Sequence, residues 1–262
     1  MKIFIVLVFG CYSVFASSIF GPDGKIKAAS FQNNRVYIKA LLASPSISPK
    51  IAERKHIKVE YAKEMRLYAD DELVLRAKLS PYLQNRPLFK FVQKNIDAKK
   101  IRLEYSNNYN KKKSVSTNIR KRKRKFSNMT FSFFELDEIF PRRIEFKDIN
   151  KDTVKKMFGD VKLIEKNVSL FAPDLAANGG SIPLVIRHNL DVKSVSVFVT
   201  AENYKRMNFI CSFYTIGKYD TLEYYLKFKM YESGYAQVVV ESKDSKFYTA
   251  HKYIEVSVAG GN

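Results

Sequence analysis

Phe171-Ala172-Pro173-Asp174-Leu175-Ala176-Ala177-Asn178-Gly179-Gly180-Ser181-Ile182-Pro183-Leu184-Val185-Ile186 separates an apolar run from a β-type run. The first run stops at Pro173, a polar turn follows, and β character resumes after Pro183. Asn178, Gly179 and Gly180 tolerate positive φ at little cost, so the reading predicts a tight connection through the left-handed region. Asp174 and Asn178 read as turn residues whose side chains bond their own backbone. Pro183 has no N–H to donate to a ladder and belongs at the start or edge of a strand.

Downstream of this turn the chain is β throughout. Val195, Val197 and Val199 alternate with Ser196, Phe198 and Thr200. Leu222, Tyr224, Leu226, Phe228 and Met230 alternate with Glu223, Tyr225, Lys227 and Lys229, the period-2 mark of a half-buried strand. Ala236, Val238 and Val240 follow, then Ile254, Val256 and Val258. Upstream, Asn150 or Asp152 is placed to cap one short helix through Val154-Lys155-Lys156-Met157-Phe158, with Gly159 as its stop. Six or seven short strands with turns between them predict an immunoglobulin-like sandwich over 129–262.

The N-terminal half repeats the pattern. Val36, Ile38 and Ala40 alternate with Tyr37 and Lys39. Met65 and Leu67 lead through Ala69-Asp70-Asp71-Glu72 into Leu73, Leu75, Ala77 and Leu79, which reads as a hairpin. Ile101, Leu103 and Tyr105 make another strand, closed by Ser106-Asn107-Asn108. The fold class expected is all-β, two immunoglobulin-like sandwiches in tandem, with the first over 31–120. Met129-Thr130-Phe131-Ser132-Phe133-Phe134-Glu135-Leu136 reads as a short strand or packing segment.

The first line of sequence reads as an export signal over 1–16: Lys2, an apolar stretch from Ile3 to Phe9, and a small-residue exit at Val14-Phe15-Ala16. Cleavage after Ala16 implies a periplasmic protein. Cys11 after Val8-Phe9-Gly10 gives a lipoprotein as the alternative. Once the signal is removed, Cys211 is the sole cysteine of the two in the chain, so no internal disulfide forms. Its place in Phe209-Ile210-Cys211-Ser212-Phe213 reads as packing.

The chain carries 46 Lys+Arg against 26 Asp+Glu, a net +20 that favours anionic partners. The charge concentrates in Lys111-Lys112-Lys113 and in Arg120, Lys121, Arg122, Lys123, Arg124 and Lys125, with no acidic residue from Lys111 to Phe134. Self-repulsion makes this stretch an extended, solvated tether, its linker proper over 121–128. Its six consecutive cations are candidates for contact with anionic lipid headgroups or an acidic partner. An exported protein does not routinely meet nucleic acid, which sets that class of partner aside.

Enzyme chemistry is not written into the sequence. His56, His188 and His251 lie far apart without metal-ligand spacing, and neither a phosphate-binding glycine loop nor a nucleophile elbow is present. The reading is therefore of a non-enzyme with no cofactor and no metal. Glu165-Lys166-Asn167-Val168-Ser169 fits an acidic-prefixed glycosylation sequon at Asn167.

Two sets of motifs resemble one known system. The opening stretch, together with the end Tyr253-Ile254-Glu255-Val256-Ser257-Val258-Ala259-Gly260-Gly261-Asn262, resembles the Y subunit of the sulfur-oxidation (Sox) carrier. Sequences of that subunit run AP-x-[IL]-A-x-NG-x-x-[IV]P-[IL]-x-[IV] and end in a GGCGG tail. Val36-Tyr37-Ile38-Lys39-Ala40-Leu41, the run Leu79 to Phe91, and Ile101-Arg102-Leu103-Glu104-Tyr105 resemble the Z subunit. Here Arg86 is inserted within the usual Asn-Pro, Ala43-Ser44-Pro45 stands for a His-Pro turn, and Tyr105 stands for a Trp.

The resemblance implies Z-like and Y-like subunits fused in one chain. Their pairing would be intramolecular, and Sox-type enzymes or related redox proteins would be the partners. In that family the tail cysteine carries the sulfur cargo on a mobile glycine arm. In this chain Ala259, Gly260, Gly261 and Asn262 form the arm and Gly261 stands nearest the missing cysteine, so covalent loading lacks its thiolate. The function expected is a carrier-like binding or scaffolding protein of periplasmic, thiosulfate-type sulfur oxidation. The alternative is a structural protein that holds anionic surfaces through its basic stretch.

Overall fold

The computed structural model describes residues 24–94, 96–127, 151–201 and 207–257. The first half contains β1 (Lys25–Phe31), β2 (Arg35–Leu41), α1 (Pro49–Lys55), β3 (Ala62–Ala69), β4 (Glu72–Leu79), β5 (Leu88–Lys94), β6 (Lys100–Asn107) and β7 (Lys112–Lys121). The second contains α2 (Lys151–Phe158), β8 (Leu163–Ile164), β9 (Val168–Phe171), β10 (Leu175–Ala176), β11 (Ile182–His188) and β12 (Val192–Ala201). It ends with β13 (Met207–Thr215), β14 (Asp220–Phe228), β15 (Gly234–Ser242) and β16 (Phe247–Val256). The fold is all-β, two immunoglobulin-like sandwiches in tandem, and α2 is the helix that leads into the second.

The two sandwiches are joined edge to edge in both layers. β5 pairs antiparallel with β14, placing Phe91 opposite Tyr224, and β4 pairs antiparallel with β13, placing Leu79 opposite Cys211. One layer therefore runs β7-β1-β2-β5-β14-β11-β9 and the other β7-β6-β3-β4-β13-β12-β15-β16. Strand edges attract foreign strands, and here each half covers the other's. The apolar interior is continuous across the junction, from Ile38, Met65 and Phe89 to Ile186, Val197 and Val238. Phe213 is its centre, with ring centroids 5.8 Å from Phe89, 5.6 Å from Phe91 and 5.1 Å from Tyr224.

Local sequence explains the elements. Asp70 takes a φ of 50° at the tip of the β3–β4 hairpin, and its carboxylate accepts from the Lys100 amide at 2.9 Å. Gly159 takes a φ of 82° and its N–H reaches the Lys155 carbonyl at 2.9 Å, ending α2. Val154 of α2 packs on Phe198 and Val239, so β12 and β15 are buried on their outer face as well as in the core.

Three expectations are corrected. None of Asn178, Gly179 and Gly180 has positive φ; the turn is closed by Asn178 Oδ1 accepting from the Gly180 amide at 2.7 Å. The solvent face expected for β14 is absent, because Glu223 is 3% and Tyr225 5% exposed. β14 lies between β5 and β11, in the middle of its layer, and Tyr225 packs there with Val92 and Val185 of those neighbours.

The third correction concerns the basic tether. Lys112 to Lys121 form β7, which pairs with β6 along its length and with β1 in parallel at Ala28–Ile119. Val115 and Ile119 pack against the core, and this alternation, hidden among lysines, is why the stretch is a strand. Beyond it, the Arg122 amide donates to Ser30, the Arg124 carbonyl accepts from Gln32, and Phe126 exchanges hydrogen bonds with the Asn33 side chain. Phe126 stacks on Tyr37 at 5.9 Å. Residues 1–16, Met129 to Leu136 and the tail 258–262 lie outside the described residues.

Candidate functional site

The two stretches that open and close the Y-like resemblance meet in space. β10 lies parallel to the end of β16, with Leu175 opposite Glu255 and Ala176 opposite Val256. The Glu255 amide donates to the Asp174 carbonyl at 2.8 Å and the Ser257 amide to the Ala176 carbonyl at 3.1 Å. From the other side, Ser233 Oγ accepts from the Val256 amide at 3.0 Å. The Asp174 carboxylate pairs with the Lys252 ammonium rather than with its own turn. The amides of Glu255, Val256 and Ser257 thus each have a partner, and the end of β16 is held from two sides. Ala259, Gly260, Gly261 and Asn262 lie outside the described residues.

The first half contributes to this region. Lys229, just past β14, is 7% exposed, and its ammonium donates to the Ser46 carbonyl. Burial pulls its pKa down to about 8. Next to it the Tyr231 hydroxyl bonds Ser48 Oγ, and Lys50 at the start of α1 lies 5.1 Å from the Tyr231 ring centre. Ser181 Oγ donates to Gln84 Oε1 at 3.1 Å, and the Met230 amide reaches the Gly179 carbonyl at 2.8 Å. The turn that begins the Y-like stretch, the β14–β15 connection and the loops of the first half therefore form one rim. Lys229 was legible in the sequence only as the polar partner of an alternating strand. Its burial comes from the Ser46 loop, which no local pattern announces.

The other sequence candidates stay apart. Cys211 is fully buried and desolvation drives its thiol pKa up, so it presents no thiolate. His56 caps α1 at a φ of 53°, and His251 packs beside the Tyr235 ring at 6.2 Å. His188 is buried, which pulls its pKa down to about 4. Among the described residues no three His, Cys, Asp or Glu side chains gather into a metal-binding group. Asn167 is exposed, with a φ of 61°, in the turn before β9. Arg120 and Lys121 end β7, and Arg122 to Lys125 follow; all six are exposed.

A cavity of about 370 Å³, not foreseen from the sequence, lies over β3, β6 and β7 and is lined by Glu64, Arg66, Glu104 and Lys112. Glu64 accepts from Arg66 at 2.7 Å and from Arg76 at 2.9 Å, so its charges largely compensate within the wall.

By architecture the second half is an immunoglobulin-like sandwich whose last strand is held at its end by β10 on one side and by Ser233 on the other. Residues 154–261 match the family model of the sulfur oxidation protein SoxY. No curated protein matches the chain. The solved structures similar to it include the sulfur carrier protein SoxY from Chlorobium limicola f thiosulfatophilum. That match has 23% identity and a TM-score of 0.36, and covers 41% of this chain and 96% of that one. Superoxide reductase (neelaredoxin) from Ignicoccus hospitalis matches at 11% identity and a TM-score of 0.33, over 35% of this chain and 81% of that one. The human F-spondin reeler domain matches at 9% and 0.31, over 42% and 99%.

Proposed function

We propose that this protein is an exported, non-enzymatic relative of the Sox carrier, with Z-like and Y-like halves fused, acting as a binding or scaffolding component of periplasmic thiosulfate-type oxidation. The observation that carries the reading is the SoxY-family match over 154–261, which takes in both the clamped root of the arm and the arm itself. The tail 258–262 reads Val-Ala-Gly-Gly-Asn and contains no sulfur. Covalent loading requires a thiolate, and Cys211 is sealed in the junction between the halves. The arm in this reading docks into a partner enzyme without delivering cargo.

A pull-down from periplasmic extract tests this, using the mature chain against a copy ending at Val258. Retention of a sulfur-pathway enzyme by the intact chain and its loss from the shortened one supports a docking arm. Equal recovery by both removes the arm from the function.

A further inference from the structure

The first half carries a charge arrangement that the carrier reading does not use. β7, β1, β2 and β5 are consecutive neighbours in one layer. They contain two Lys or Arg each in β1, β2 and β5 and four in β7, and not one Asp or Glu. Lys27 stands directly opposite Lys39, and Lys39 directly opposite Lys90, in a row across three strands. Strands lie about 4.8 Å apart, and like charges facing one another at that spacing destabilise a sheet. Burial, with Lys39 and Lys227 beside it, lowers the pKa of Lys90. Carboxylates appear on the flanking strands: Asp220 of β14 stands opposite Lys94 and already pairs with Lys243 at 3.3 Å, and Glu104 of β6 stands opposite Ser114 and already pairs with Arg102. Lys27, Lys39 and Arg120, which stands beside Ala29 on the outward face, are exposed, and the structure gives none of them an ion pair with a described carboxylate.

We propose that this face of β7, β1 and β2 is a docking surface for the acidic face of a folded partner protein. A row of like charges held on a rigid sheet recovers its repulsion when fixed carboxylates lie against it, and such complementarity sets register and speeds encounter. A second copy of this chain is unsuited, since it carries +20 itself. A lipid surface is the weaker occupant: peripheral membrane elements insert aromatic or aliphatic side chains. The large apolar residues exposed among the described ones, Ile57, Tyr109, Met157 and Phe171, all lie off these strands. Between the cations, β7 exposes Ser114, Ser116 and Asn118, which hydrogen-bond carboxylate and amide edges.

The test uses the full mature chain with a short poly-L-glutamate as the acidic probe. Binding is read by fluorescence anisotropy at about 50 mM and about 300 mM salt, where screening differs roughly twofold in range. The triple variant Lys27→Gln, Lys39→Gln, Arg120→Gln should bind about tenfold more weakly, near 0.5 kcal/mol per charge. The variant Lys156→Gln, Lys162→Gln, Lys166→Gln removes the same charge elsewhere and should bind like the parent. Carbodiimide coupling should mark Lys27 and Lys39. Equal losses in the two variants, or no binding at low salt, overturn the proposal. So does patch-dependent binding to phosphatidylglycerol vesicles as tight as to poly-L-glutamate, which would assign the face to lipid. The shortened tail leaves this face intact, so the carrier reading and this surface fail independently.

Discussion

The ammonium of Lys229 is buried against the carbonyl of Ser46, binding the exit of β14 in the second half to a loop of the first. Its pKa of about 8 lies below its ordinary 10.5, so between those values the unfolded chain holds a proton that the folded chain has lost. Stability from this group therefore rises as pH climbs from 8 towards 10.5, and below 8 the full cost of burying the charge is present. In Lys229→Met that dependence disappears. The stability of the parent minus that of the variant, from urea titrations, should grow with pH in this window by at most about 1.4 kcal/mol per unit. A flat difference would show that the amine stays protonated.

Phe213 should report on the unity of the two halves. It touches Phe89 and Phe91 from one half and Tyr224 from its own, beneath two continuous sheets. Phe213→Ala should cost about 3–5 kcal/mol through lost burial and the cavity left behind. Parent and variant should each unfold in one transition, followed by circular dichroism and by tyrosine fluorescence, since the chain has no Trp. Two separated transitions would show that the halves fold independently.

Cys211 should be inert to thiol reagents in the folded chain. It sits opposite Leu79 and Val197 with no exposed surface, and burial raises its thiol pKa. Labelling of the chain from Ser17 should track the unfolded fraction across a urea titration. Rapid labelling without denaturant would mean that the β4–β13 junction opens locally.

The strands legible in the sequence are those with one dry face and one wet one, such as β2, β3, β4 and β6. β14 was placed correctly but its second face was misjudged. Alternation signals a half-buried strand, whereas Glu223 and Tyr225 are hidden by tertiary covering that leaves no trace in local pattern. β7 failed for the opposite reason. Its lysines outweigh two inward apolar residues, Val115 and Ile119, and charge repulsion is a weaker determinant than pairing on both sides. The arm's root was partly visible, since both stretches that build it were singled out. That Asp174 would serve Lys252 and Glu255 rather than its own turn depends on a contact some eighty residues away.

Ser233 offers the most direct handle on that root. Its hydroxyl is the acceptor for the Val256 amide, the last β16 amide before Ser257 turns to Ala176. Ser233→Ala removes one hydrogen bond of about 0.5–1.5 kcal/mol and leaves β10 pairing on the opposite side intact. Opening at the end of β16 should become about two- to tenfold more frequent, read as faster hydrogen exchange at Val256 and Ser257, with global stability little changed. The amides of Val238 and Val240, in the middle of β15, should exchange as in the parent. Unaltered exchange at Val256 would mean that β10 alone holds the root. A clamp on both sides of one strand end is what an arm needs if its tip is to move while its origin stays fixed, and this variant measures how much of that fixity comes from the β14–β15 connection.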